Sequence, residues 1–296
     1  MKKIKILVTG ADGQLGNELR ELSAYNNNEW VFTDVPQLDI TDHKAVDEFF
    51  ENNKLKYCVN CAAYTAVDKA ETEQDKAFKI NTIGLENIAN ACKNSNIILI
   101  HISTDYVFSG TSHIPYAEHD NIAPSGIYAK TKAEGEKKVI QSGANFYLIR
   151  TAWLYSTFGH NFVKTILRLT KEKKEIGVVY DQIGSPTYAK HLAQAIISII
   201  DKNNKGDIKE IYHFANAGIA SWYDVAQEII DYTNSCCIVK PILTDEYPLP
   251  APRPHYSVLN TAKIKRDFNI NIPHWKHALH ECLNSLKKVQ KINVIL

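Results

Sequence analysis

Near its start this chain carries the pattern that most restricts its fold, a glycine-spaced turn set between two kinds of apolar periodicity. Ile4 to Val8 is a compact, β-branched run, and Thr9-Gly10-Ala11-Asp12-Gly13-Gln14-Leu15-Gly16 follows it directly. From Leu15 to Leu22 the apolar residues recur at helical spacing. A buried strand that turns at once into a helix begins a βαβ unit. Within the turn, Gly10 permits the tight reversal and Gly13 lets backbone amides approach a pyrophosphate at the positive helix end. Gly16 allows the helix to pack closely on the strand. Taken alone, such a turn also suits an α/β protein that binds nothing.

The residues that follow repeat the alternation. Trp30 to Thr33 is apolar, Ala45 to Phe50 is helical, Val59 lies in a third strand, Ala77 to Cys92 reads as one long helix, and Ile97 to Ile102 is another strand. A helix over Tyr128 to Ile140 and a strand over Phe146 to Ile149 come next. Continuous Ile/Leu/Val runs mark strands covered on both faces, so the fold expected is α/β, a Rossmann-type doubly wound parallel sheet. Residues 1–150 form the expected dinucleotide-binding domain, with helices from about 188 to 235, apolar on one face, packing back on it. Residues 151–187 and 236–296 form the expected smaller C-terminal substrate-binding lobe. Its stretch Tyr247-Pro248-Leu249-Pro250-Ala251-Pro252-Arg253-Pro254 cannot be a helix or a central strand.

Composition narrows the partners. With 34 Lys+Arg against 33 Asp+Glu, the formal net charge is +1, which argues against a nucleic-acid binder. No run of about 18 apolar residues is present to span a membrane, and the basic start lacks a signal-peptide cleavage pattern, so a cytoplasmic protein is expected. Six irregularly spaced cysteines do not make a disulfide framework. Cys58-x-x-Cys61 has no second pair to complete a metal site, and all six are expected to pack in cores. No metal site is expected from the residues.

Asp34 ends the second strand about twenty residues after the glycine turn, where an acid bonds the adenosine ribose hydroxyls. It also suits an exposed turn. Asp39 and Ile40 come next, placed to flank an adenine ring, and no Arg follows closely in the sequence to take a 2′-phosphate, so NADH and NADPH both stay open. Asn60-Cys61-Ala62-Ala63 ends the third strand with small side chains that leave room for a ribose or nicotinamide, or simply for helix packing.

Of the 15 tyrosines, Tyr128 alone has a lysine four residues later, Lys132. That spacing puts both on one helical face. Moving a phenol from a pKa near 10 to about 7 takes roughly 4 kcal/mol, and a cation about 4 Å away at an effective dielectric near 20 supplies that much. Lys132 is therefore expected to tune Tyr128 for proton transfer. Out of context the pair is a surface tyrosine and a solvated lysine. Context comes from Ser103-Thr104-Asp105, at the carboxyl end of a parallel strand, where doubly wound sheets place their ligands. Trp153, after a strand end, offers either an apolar platform for a sugar or a core residue, and Arg253 offers a diphosphate contact.

The GxxGxxG spacing and the Thr104, Tyr128, Lys132 set are similar to those of short-chain dehydrogenase/reductases. More narrowly, the chain resembles the dTDP-4-dehydrorhamnose reductase family of the extended group. The resemblance is carried by Gly10–Gly16, Val59–Glu71, Ser103–Gly110, Tyr128–Glu136, Arg150–Tyr155, Gly159–Val163, Asp181–Thr187, Arg253-Pro254 and Leu259-Asn260. It implies reduction of a dTDP-linked 4-keto-6-deoxy sugar with NADPH or NADH, the substrate being a small nucleotide sugar and the protein a monomer or homodimer. It further implies Tyr128 as proton donor, Lys132 on the nicotinamide ribose and Thr104 on the reacting oxygen. Asp105 and Trp153 would touch the sugar, while Gly13, Gln14, Leu15, Asp34, Asp39, Ile40, Ala63, Tyr64 and Thr65 would line the cofactor. Some members use magnesium held by glutamates, one of them at the glycine-rich helix start. This chain has apolar or amide residues there, so the need for magnesium stays open.

Two rivals remain. A 4,6-dehydratase of the same fold carries a second carboxyl after Thr-Asp, whereas Tyr106 stands here. An epimerase needs only retained NAD and a rotating keto sugar. From another class, a non-catalytic regulatory subunit resembling that of methionine adenosyltransferase keeps the nucleotide fold; here the catalytic set is retained.

Overall fold

The computed structural model describes residues 3–202 and 208–293. The terminal stretches of the expected domains, 1–2 and 294–296, and the segment 203–207 lie outside it. Its main sheet contains β1 (Lys5–Thr9), β2 (Glu29–Thr33), β3 (Tyr57–Asn60), β4 (Ile98–Thr104) and β5 (Phe146–Thr151). After β6 (Glu175–Val179), which lies elsewhere, β7 (Lys209–Phe214) returns to the sheet. The order is β7-β5-β4-β3-β1-β2 and every neighbouring pair is parallel. The chain leaves β1 in one direction to reach β2 and in the other to reach β3. Ligands of such sheets bind at that reversal, beyond the carboxyl ends of the strands.

Both faces are covered, which is why the strands read as unbroken apolar runs. Ile6, Val8, Val59, Ile100 and Ile149 face α1 (Gln14–Ser23) and a later helix, Ala189–Lys202. The alternate residues Leu7, Cys58, Leu99 and Leu148 face α2 (His43–Asn52), α3 (Leu85–Asn94) and α4 (Ile127–Ser142). A third core belongs to the second lobe. There α5 (Phe162–Glu172) packs with β6 and its parallel partner β8 (Ile238–Ile242).

Several expectations are corrected. After α6 (Ala189–Lys202), the helix α7 (Trp222–Thr233) packs through Val225, Ala226 and Ile229 into the second lobe, against α5, β6 and β8, not on the main sheet. Conversely α8 (Ala262–Phe268), in the stretch assigned to the lobe, puts Ile264 and Phe268 into the main-sheet core. The closing helix α9 (Trp275–Asn293) stays with the lobe. The single helix expected over 77–92 is instead a short helix Gln74–Phe78, a π-helical segment Lys79–Gly84 and α3. Asn81 explains the break: its amide accepts from the N–H of Tyr64 at 2.9 Å, donates to the Tyr64 carbonyl at 3.1 Å, and reaches Thr131 Oγ1 at 3.1 Å. Straight helical geometry would not serve those partners. All six cysteines are free, and Cys236 is exposed and so does not pack as expected. Among the described residues no helix is long and apolar enough to cross a membrane.

Candidate active site

The glycine turn is built by close approach. Gly10 has φ 64°, and a Cβ there would lie 2.5 Å from the backbone N of Ala62. A Cβ on Gly16 would lie 2.5 Å from Ala11 Cα, so only glycine lets α1 sit on the turn. Gly13 is the N-cap of α1, where no side chain caps the helix and no acid occupies the first turn. The one atom near its missing Cβ is Gly10 O, at 3.2 Å. With no side chain capping it, the first turn of α1 offers its positive helix end and its backbone N–H groups in an arrangement that fits a dinucleotide pyrophosphate.

Asp34, just past β2, accepts the Asp12 N–H at 3.0 Å through Oδ2 and the Val35 N–H at 2.8 Å through Oδ1, tying β2 to the turn. The structure also brings an arginine here that sequence neighbours did not reveal. Arg20 of α1 pairs with Asp12 at 3.0 Å and lies over the Phe32 ring at 5.1 Å. Asp39 accepts the N–H and O–H of Thr41, at 2.9 and 2.8 Å, as a turn holder. Ile40 is turned away from this surface: its side chain is buried against Gly84 and its carbonyl accepts from Asn87. Across the switch point, Ala62 and Ala63 are half-buried, Thr65 is exposed, and Tyr64 is held at both backbone ends by Asn81. Gln14 accepts from Asn161 of the lobe at 3.0 Å, while the adjacent Leu15 packs in the core.

β4 runs on to Thr104 and a 3-10 turn, Asp105–Val107, follows. Thr104 Oγ1 donates to Asp105 Oδ1 at 3.0 Å and accepts the Tyr106 N–H at 3.2 Å. Tyr128, in the first turn of α4, meets the Tyr106 ring edge-to-face at 5.6 Å. Burial pushes its phenol up to about 12, with the nearby Thr104 hydroxyl opposing and the Asp105 carboxylate adding to the rise. The expected tuning by Lys132 is not what these residues do by themselves. Lys132 Nζ donates to Ile102 O at 2.7 Å and lies 3.2 Å from His101 Nε2. Burial lowers Lys132 to about 8, with Glu136 and Cys61 opposing. A phenol near 12 is protonated at neutral pH, so Tyr128 stands as an acid. Asp105 is likewise pushed up to about 6 by burial, opposed by the nearby Ser257 hydroxyl and by the hydrogen bond from Thr104.

Beside Tyr106 opens a cavity of about 800 Å³, which reaches into the second lobe and is lined in part by Trp222, Gln182, Lys173, Tyr247 and Arg253. Its tryptophan wall is Trp222, and Trp153 stacks on that ring at 3.6 Å and 5°. Trp153 takes a left-handed backbone, φ 49°, unusual for a bulky residue. Arg253 is already engaged, by Asp68 at 2.8 Å and by its own loop at the Ala251 carbonyl, 3.0 Å. In the sequence Tyr106 stands out only as the residue in place of a dehydratase's second carboxyl, and Trp222, Gln182 and His101 are not singled out as site residues. Only Tyr106 carried a signal, its place directly after Thr104-Asp105.

A family model described as RmlD substrate binding domain matches residues 4–288. The chain belongs to that family. A dTDP-4-dehydrorhamnose reductase of Aggregatibacter actinomycetemcomitans is 39% identical over 284 residues, 93% of this chain and 97% of that one. The crystal structure of such a reductase from Clostridium acetobutylicum shares 43% identity with a TM-score of 0.91, over 96% of this chain and 100% of that one. Another, from Bacillus anthracis in complex with NADP, shares 38% identity with a TM-score of 0.91 over the same fractions. The motif resemblance and the doubly wound fold are thereby borne out for this RmlD-family chain. Among the described residues no group of three or more His, Cys, Asp or Glu is disposed to hold a metal ion.

Proposed function

We propose that the protein reduces the 4-keto group of dTDP-4-dehydro-6-deoxy-L-mannose to give dTDP-L-rhamnose, using NADPH or NADH. The observation that carries this is the meeting of Thr104, Tyr128 and Lys132 at the carboxyl end of β4, with Tyr128 against Tyr106, a wall of the cavity of about 800 Å³. Relatives named for that reaction match nearly the whole chain. When bound, the reduced nicotinamide supplies a hydride to the sugar C4. Tyr128, held neutral by burial, donates its hydroxyl hydrogen to the ketone oxygen. Thr104, its Oγ1 kept in place by the Tyr106 N–H, turns onto that oxygen the hydroxyl hydrogen that otherwise meets Asp105. Lys132 binds the nicotinamide ribose. The Trp222–Trp153 stack gives the sugar an apolar wall, and the N–H groups that Arg253 does not spend on Asp68 and Ala251, with Lys173, suit a diphosphate. The protein works in the cytoplasm as a monomer or homodimer.

Incubating purified protein with reduced cofactor and dTDP-, GDP- or CDP-linked keto sugars tests the reading. One reduced cofactor oxidised per dTDP sugar consumed is the expected result. Epimerised sugar without net oxidation, or no turnover with any of the three, would overturn it.

A further inference from the structure

His101 is a buried titratable group to which the reduction above gives no part. It lies in β4, 1% exposed, with Nδ1 3.2 Å from Asn60 Nδ2 and Nε2 3.2 Å from Lys132 Nζ. Its neighbours decide which nitrogen bears the hydrogen. Asn60 Oδ1 accepts the Ala62 N–H at 3.2 Å and the Thr9 hydroxyl at 2.6 Å. A backbone N–H can only donate, so the oxygen of Asn60 is fixed on that side and its NH₂ faces the imidazole. Nδ1 therefore accepts, and a neutral His101 carries its hydrogen on Nε2. That hydrogen points at Lys132 Nζ, which can receive it only as an uncharged amine. Lys132 meets Ile102 O with a hydrogen of its own.

We infer that His101 is a positioning residue for Lys132: held by Asn60 in the Nε2–H tautomer, it donates to the uncharged form of Lys132 and so helps set the pH at which that amine takes a proton. A charged Lys132 can only donate. Nε2 must then be bare, the imidazole hydrogen moves to Nδ1, and Asn60 turns over to accept it. Ala62 N–H loses its partner in that state, and Ala62 is the residue against which Gly10 is packed. The lysine's charge is thus linked to the strand end that faces the nucleotide turn. The groups acting on Lys132 are His101 from β4, Cys61 from the end of β3, and Glu136 on its own helix, itself paired with Arg150 at 2.7 Å. Burial and the nearby lysine hold His101 well below the usual histidine range, so it changes tautomer without becoming charged.

The use of that proton in catalysis rests on the reductase proposed above, whereas the tautomer does not. The decisive experiment is therefore a pH titration of cofactor-free protein carrying ¹⁵N-labelled histidine, read by long-range ¹H–¹⁵N NMR. His101 is expected to show a protonated Nε2 and a bare Nδ1 at high pH, and to exchange these as pH falls through about 8, without charging. A single fixed tautomer, or Nδ1–H at high pH, overturns the inference whatever the enzyme's activity. As a second arm, Asn60→Asp presents a carboxylate that accepts Nδ1–H at every pH. The alkaline limb of its kcat/KM profile should move up by about one pH unit, the size of one exchanged hydrogen bond. An unmoved limb in an active variant would overturn the positioning role.

Discussion

Asp105 shows how a single residue at this site trades stability for chemistry. Its carboxyl is pushed up to about 6 from an ordinary 3.8 by burial. Below the lower value both folded and unfolded chains hold the proton, and the side chain costs nothing. As pH rises from the lower value to the folded one the unfolded chain ionises while the folded one cannot, and above the folded value the buried carboxyl is a liability of about 3 kcal/mol. Asp105→Asn keeps an acceptor for Thr104 without the charge. Relative to the unchanged chain it should gain about 3 kcal/mol between about pH 3 and about pH 7.5, read from urea unfolding at both. An equal difference at the two pH values would contradict this. The sequence showed Thr104, Tyr128 and Lys132 because strand-end position and helical spacing are local. It did not show Arg20 beside Asp12 or Ile40 facing the core, since those depend on how α1 and the β2–α2 connection fold back.

At the scale of elements, α4 carries Tyr128 and Lys132 and is itself held by two contacts. Arg150 of β5 grips Glu136 with two bonds, 3.0 and 2.7 Å, both side chains buried. On the other flank Gly135 lies against the π-helical segment, where a Cβ would run into the carbonyl oxygen of Asn81. Backbone cannot yield there as a flexible side chain would. Gly135→Ala should cost about 2–3 kcal/mol through overpacking, and displace the Tyr128 helix enough to depress activity in the protein that still folds. Unaltered thermal stability would show that the segment gives way freely. The strands were legible because covering on both faces writes an apolar run into the sequence. The π-helical break was not, because its cause is a set of partners at Tyr64 and Thr131. Nor was the placing of α7, whose apolar face announces burial but not which core receives it.

For the whole molecule, polar ties join the main-sheet unit to the second lobe. Ser156 of the lobe donates to the buried Glu18 of α1 at 2.5 Å, Asn161 to Gln14 at 3.0 Å, and Arg253 pairs with Asp68 at 2.8 Å. The nucleotide turn, the cavity and the helix of Tyr128 are thus held in one frame, and the central claim is that this frame delivers a proton from Tyr128 to a ketone oxygen. The most direct test is single-turnover oxidation of reduced cofactor by the dTDP keto sugar in the unchanged chain and in Tyr128→Phe, with cofactor affinity measured separately. A fall in rate of about 10²–10⁴-fold at unchanged cofactor affinity is the predicted result; near-normal turnover in the phenylalanine variant would contradict the account.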